Sequence, residues 1–244
     1  ILDLLNEEFN LDFQEIWKKG SGNHTCPESP LITLVTQICL ADLWKQWGYK
    51  PDISIGHSTG ELAASYQAGL YTLKEILHIA WQIGALASRL EGVMVHGVLS
   101  QSEIDDVPLY ISSFNFTEGD GKHVTLSGKY EEVHTFLKDH PDFITMRLPH
   151  PWHHPDYGGF TGDIKPIRSA KADQHAFVSG TTANFARELD ADHWKTWATN
   201  PVDFITSMDV IKVQYPDDDF EIIEIGFHPV LSKCCEIFSS YTYA

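Results

Sequence analysis

Apolar residues recur at helical spacing from Leu31 through Leu34, Val35 and Ile38 to Leu40–Trp44, a face that ends at Gly48. Tyr49-Lys50-Pro51-Asp52 then leads into a short alternating stretch, Ile53-Ser54-Ile55, and a helical pattern resumes at Glu61 and runs to Ala68. A second long helix is predicted over 73–90, with Leu73, Ile76, Leu77, Ala80, Ile83 and Leu86 or Ala87 on one broad face. The period then shortens to two. Strand-like segments lie at Met94–Leu99, Leu109–Phe114, His123–Ser127 and Phe143–Leu148, with helical stretches at Ser102–Asp106 and Tyr130–Lys138 between them. That order, β-α-β-β-α-β, fits a small ferredoxin-like unit. Beyond an irregular stretch rich in His, Pro and Gly from His150, the chain offers a strand at Phe177-Val178-Ser179 and a helix at Ala191–Ala198. A further helix is expected at Pro201–Ile211, with proline at a permitted first turn. Glu221–Gly226 reads as a buried strand running into a glycine turn and a last helix.

The expected class is α/β: an α/β-hydrolase-like larger subdomain from 1–92 and 150–244, with the ferredoxin-like subdomain of 93–149 inserted in it. The join between Ile55 and the helix after it carries the chemistry. Gly56-His57-Ser58-Thr59-Gly60-Glu61 has the G-x-S-x-G form of a nucleophile elbow, in which a serine sits on a sharp strand-to-helix turn. Such a serine is exposed, faces the positive end of the following helix, and has the Thr59 N–H beside it as an oxyanion donor. The pattern also arises by chance, or as an ordinary strand–helix turn. A serine nucleophile needs a base, and thirteen histidines are too many for counting to select one. His150-Pro151-Trp152-His153-His154-Pro155 is the best placed, because the chain returns there from the inserted unit and can pass over the elbow. His150, His153 and His154 with Asp156 are also possible zinc ligands, but the prolines break the helix that would align two of them, and no metal is expected. The tryptophans at 44, 47, 194 and 197 sit at helical spacing and are read as packing residues.

Composition narrows the partners. The 244 residues, 43% apolar, can bury one substantial core. A net charge of −17, from 34 acidic against 17 basic side chains, argues against nucleic acid or an anionic membrane. No apolar run is long enough to span a membrane, and the first residues lack the basic start of a secretory signal. Four cysteines, two of them adjacent at Cys234-Cys235, do not form a disulfide framework. A cytoplasmic location is expected, and the N-x-T sequons at Asn23 and Asn115 are read as chance.

With these positions set, the chain resembles the acyltransferase domains of polyketide and fatty-acid synthases, the malonyl-CoA:acyl carrier protein transacylase family. Leu43-Trp44 through Gly48, Pro51-Asp52, the elbow, Ala63-Ala64, Tyr66, Ala68-Gly69 and Leu73 resemble the family's L-W-x-x-W-G-x-x-P-D…G-H-S-x-G-E-x-A-A-x-Y-x-A-G stretch. His150-Pro151-Trp152-His153 stands where the family has H-A-F-H or Y-A-S-H. Asn200-Pro201-Val202-Asp203-Phe204 is similar to x-P-V-x-F, and Glu224–Leu231 to E-I-G-P-H-P-V-L. The resemblance implies Ser58 as the acyl-accepting nucleophile, His153 as its base, Glu61 as support for the elbow, and a backbone carbonyl at or near Asp203 orienting the histidine. It implies a substrate pocket formed by His57, Ile83, Trp152 and His150. It also implies no resident cofactor: acyl-CoA is the donor, the phosphopantetheine thiol of an acyl carrier protein is the acceptor, and a ketosynthase or other synthase domain is a neighbour.

Two departures change the expectation. Members that use malonyl groups hold the free carboxylate with an arginine twenty-five residues after the serine, and here that position is Ile83. Arg89 is six residues on and roughly 120° around the helix from it, a poor substitute; Arg147 precedes the histidine loop, and Arg168 and Arg187 have no motif support. A buried carboxylate without its guanidinium costs several kcal/mol, so the expected cargo is a neutral, starter-type acyl group, with Trp152 narrowing the pocket toward a short chain. The family's G-Q-G-x-Q motif, which supplies the second oxyanion donor, does not occur before Ser58, as expected of a piece of a longer multidomain protein. The competing expectations are a proofreading acyl hydrolase acting on carrier proteins, a malonyl-type extender acyltransferase, and a degenerate domain that only docks.

Overall fold

The computed structural model describes residues 1–18, 26–235 and 240–243. Two short helices, α1 (Leu2–Phe9) and α2 (Phe13–Lys18), precede the long α3 (Glu28–Gln46). The chain turns at Gly48, where φ is +96°, and enters β1 (Ile53–Ile55). Helix α4 (Gly60–Gln67) follows the elbow, and α5 (Leu73–Ala87) starts from a reciprocal cap in which Thr72 and Glu75 exchange side-chain and backbone hydrogen bonds. The apolar face read over 73–90 is buried as expected: Ile76, Leu77, Ala80, Ile83 and Leu86 pack against α3 in the main core.

Next come β2 (Val93–Ser100), α6 (Gln101–Asp106), β3 (Tyr110–Glu118), β4 (Gly121–Gly128), α7 (Tyr130–Asp139) and β5 (Ile144–Thr145). They assemble as β5-β2-β4-β3, all neighbours antiparallel, which is the ferredoxin-like order. Val95, Leu126, Val133 and Phe136 fill the space between this sheet and α7. The strand expected over 143–148 shrinks to two paired residues at the sheet edge.

Past two 3₁₀ turns at Pro155–Gly159 and Thr161–Asp163 lie β6 (Ala176–Ser179), β7 (Asn184–Phe185), α8 (His193–Thr199), β8 (Val202–Asp203), α9 (Phe204–Gln214) and β9 (Glu221–Glu224). The last strand, β10 (Ser240–Tyr243), pairs parallel with β9. Strand β1 pairs parallel with β6, so the elbow stands at the C-terminal edge of a parallel pair, where α/β folds bind ligands.

The sequence pattern errs at Pro201. It lies outside any helix, because Val202 and Asp203 add a parallel strand to β3 and the Asp203 side chain then caps α9 by accepting from the Thr206 N–H at 3.0 Å. Strand β8 thus ties the ferredoxin-like sheet to the elbow side of the molecule. The last helix is a 3₁₀ turn, Lys233–Cys235, as far as the described residues reach. The Asn23 sequon lies outside the described residues. The Asn115 amide is engaged at both ends, to His57 and to Thr125.

Candidate active site

The elbow is set by close approach. A Cβ on Gly56 would lie 2.2 Å from the Glu61 nitrogen and the Gly60 carbonyl, so only glycine lets the chain fold back on itself there. Gly60, at the first position of α4, has space around it. Ser58 takes a left-handed conformation with φ +53°, and so does His153 with φ +54°. Non-glycine residues seldom adopt that region, and strain of this kind is held only where surrounding contacts overdetermine it.

The two strained residues meet. Ser58 Oγ lies 2.7 Å from His153 Nε2, and His153 Nδ1 lies 2.8 Å from the Trp197 carbonyl oxygen. A carbonyl only accepts, so Nδ1 carries the proton and Nε2 is free to accept the one on Ser58. Burial holds the His153 pKa down at about 4, against a smaller opposing effect of the Trp197 carbonyl. The ring is therefore neutral near pH 7 and ready to act as a base. Among the described residues the Thr59 N–H, at the start of α4, has no hydrogen-bond partner, as an oxyanion donor requires.

The carbonyl that orients His153 is that of Trp197, not of Asp203. Asp203 spends its side chain and its carbonyl capping α9, through Thr206 and Ser207. Of the last four carbonyls of α8, one is taken by the N–H of the helix's own C-cap residue and the other three by groups from elsewhere in the chain. Thr196 accepts from the Asn200 N–H, Trp197 from His153, Ala198 from the His154 N–H at 3.0 Å, and Thr199 from the Tyr110 hydroxyl. The histidine loop is thus pinned on a helix C-terminus, whose negative dipole end also stabilises an imidazolium. Trp197, expected as packing alone, further donates its indole N–H to the Ser58 carbonyl at 3.3 Å.

Glu61 is fully buried and accepts from the Ser179 hydroxyl at 2.6 Å, the Thr181 hydroxyl at 2.9 Å and N–H at 3.2 Å, and His193 Nε2 at 3.0 Å. It joins the elbow to the end of β6 and to α8.

Of the four residues expected in the pocket, two line one space. Ile83 and Trp152, with Leu86, Ala87, Tyr157 and Trp197, line a narrow apolar crevice beside His153. His57 and His150 do not line it. His57 is held by Asn115 Oδ1 at 2.8 Å and lies edge-on to Phe204, toward the ferredoxin-like sheet; burial lowers its pKa, partly offset by Asn115 and Glu224. His150 Nδ1 is 2.9 Å from the Leu90 carbonyl and anchors the loop to the end of α5. His150, His153 and His154 point to different partners, and no cluster of metal-ligating side chains occurs among the described residues. All four arginines of the chain are exposed, and Arg89 pairs with Asp163. No helix among the described residues is long and apolar enough to cross a membrane.

This architecture is the acyltransferase fold. The acyltransferase domain of the polyketide synthase PpsC of Mycobacterium tuberculosis aligns with a TM-score of 0.82 over 99% of this chain and 80% of that one, at 20% identity. A loading acyltransferase from the avermectin modular polyketide synthase aligns with a TM-score of 0.75 over 86% of this chain and 72% of that one, at 22% identity. Likeness at these identities is likeness of fold. In sequence, the highly reducing polyketide synthase cnsI of Penicillium expansum is 28% identical over 231 residues, covering 85% of this chain and 10% of that synthase. The chain therefore spans about a tenth of the curated relatives it matches. No family model matches it.

Proposed function

We propose that the protein is an acyltransferase that moves a neutral monocarboxylic acyl group from acyl-CoA, through a Ser58 acyl-enzyme, to the phosphopantetheine thiol of an acyl carrier protein within a polyketide synthase. The observation that carries this reading is the Ser58–His153–Trp197 relay with its 2.7 Å and 2.8 Å contacts. Ser58 Oγ attacks the thioester carbonyl while His153 Nε2 takes its proton, and the Thr59 N–H faces the developing oxyanion at the positive end of α4. The imidazolium, steadied by the Trp197 carbonyl, returns the proton to the departing CoA thiolate. In the second half-reaction His153 accepts the pantetheine thiol proton as the sulfur attacks the ester, then protonates Ser58 as it leaves.

The cargo follows from what borders the base. The crevice beside His153 is lined by apolar groups, and no arginine of the chain is buried, so nothing among its lining residues balances an acyl-group carboxylate. Trp152 and Trp197 lie edge to face at 6.1 Å and both line the crevice, and two such bulky rings favour short chains. Mass spectrometry of the protein after exposure to acetyl-, butyryl-, hexanoyl- and malonyl-CoA tests both parts. Ser58 should carry the neutral groups, and preferential malonyl labelling would overturn the assignment of cargo. Adding carrier protein and comparing transfer with hydrolysis separates the transferase from an acyl hydrolase.

A further inference from the structure

We propose that His193 is a positioning residue for the Ser58–His153 pair: its contact with Glu61 fixes α8 on the elbow and so holds the Trp197 carbonyl against His153 Nδ1. The proposal rests on the reading of Ser58 and His153 as nucleophile and base. Helix α8 has seven residues, too few to be stable by itself, so its place is dictated by what its side chains grip. His193 and Trp197 are four residues apart and share one face. Both reach the elbow: His193 Nε2 meets Glu61 Oε1 at 3.0 Å, and the Trp197 indole meets the Ser58 carbonyl at 3.3 Å. Opposite them, the C-terminal carbonyls of the same helix receive His153 and His154. The helix is a strut between nucleophile and base, and a shift of 1 Å along it moves the base off Ser58.

The Glu61 carboxylate shows which of its contacts does this. Three of its four donors, the Ser179 hydroxyl and the two from Thr181, come from the end of β6 and leave it well satisfied without His193. The fourth is the one that reaches α8. His193 is itself almost wholly buried, with its ring edge-on to Trp194, so it has no solvent to fall back on. Losing it should cost the register of α8 more than the integrity of the elbow.

The test compares His193→Leu and His193→Gln in the whole protein, since a glutamine amide nitrogen reaches the position of Nε2 and leucine supplies no donor. Two readouts are used: the rate at which a fluorophosphonate labels Ser58, and the downfield proton resonance of His153 Nδ1–H. Leucine should slow labelling at least tenfold and broaden or lose the resonance, while KM for acyl-CoA changes less than twofold; glutamine should restore labelling to within threefold of wild type. His193→Asn, too short to reach Glu61, takes the place of leucine if that variant does not fold. Leu126→Ala, in the core of the ferredoxin-like sheet, serves as a destabilised control and should label at the wild-type rate. Wild-type labelling by the leucine variant, failure of glutamine to rescue, or equal slowing in the control overturns the proposal. A wild type that forms no acyl-enzyme with any CoA yet follows this pattern overturns the acyl-transfer reading and supports the role of His193.

Discussion

The two flanks of the Ser58–His153 pair are built on opposite principles. Toward β6 and α8 the elbow is held by buried polar groups that all find partners: the Glu61 carboxylate with four donors, the Trp197 indole on the Ser58 carbonyl, and the Trp197 carbonyl on His153. Toward α5 it is the base, His153, that borders Ile83, Leu86, Ala87 and Trp152, a surface with no charge. A satisfied polar network gives a single geometry, because any displacement leaves a buried group unpaired. An apolar wall sets only shape and dielectric, so it can change without disturbing the chemistry next to it. Under the proposed function, the difference lets reaction and cargo be controlled separately.

The comparison can be broken from either flank. The largest effect is expected on the polar side: His153→Ala should slow acylation of Ser58 roughly 10³-fold or more, read by stopped-time mass spectrometry, with the protein still folded. Acidification attacks the same side. The His153 pKa of about 4 lies below the ordinary value near 6.5, so the folded state binds fewer protons between them. The contribution of neutral His153 to stability is complete above about pH 6.5 and lost as pH falls to about 4, on the order of 3 kcal/mol. Acylation should stay flat from pH 8 to 6 and decline only on approaching pH 4; a midpoint near 6.5 would show that His153 is solvated. On the apolar side, Ile83→Arg should raise malonyl relative to butyryl labelling by roughly 30-fold, about 2 kcal/mol of new pairing, without altering fluorophosphonate labelling. Trp152→Ala has the smallest expected effect, a gain of roughly tenfold for hexanoyl over acetyl groups, since a few methylenes in an apolar site discriminate weakly.

The local features of this site were open to inspection in the chain. A close backbone approach needs glycine at position 56, a reciprocal cap needs Thr72 and Glu75, and a buried helix face needs apolar residues every three or four positions. Each leaves its mark on residue identity. The resemblance to acyltransferase motifs went further and paired Ser58 with a histidine ninety-five residues away. It missed where function uses the backbone. The orienting carbonyl belongs to Trp197 rather than a residue near Asp203, and a carbonyl is carried by any amino acid. Its one trace is indirect, a His193–Trp197 pair four apart on a short helix. The partners of His57 and His150 were hidden for a related reason: their positions beside the serine and base are local, but Asn115 and the Leu90 carbonyl come from β3 and from just after α5.

By itself, then, the sequence determined the turn that exposes Ser58, the faces that bury α3 and α5, the β-α-β-β-α-β unit, and the isoleucine where a guanidinium was expected, because these depend on side-chain size, charge and spacing along a few turns of chain. Only the tertiary structure decided that α8 lends its C-terminal carbonyls to the histidine loop, that Glu61 closes on His193, and that Ile83 meets Trp152 across one crevice. Those contacts join residues tens to more than a hundred positions apart, and their energy depends on the packing of whole elements, which no local pattern encodes.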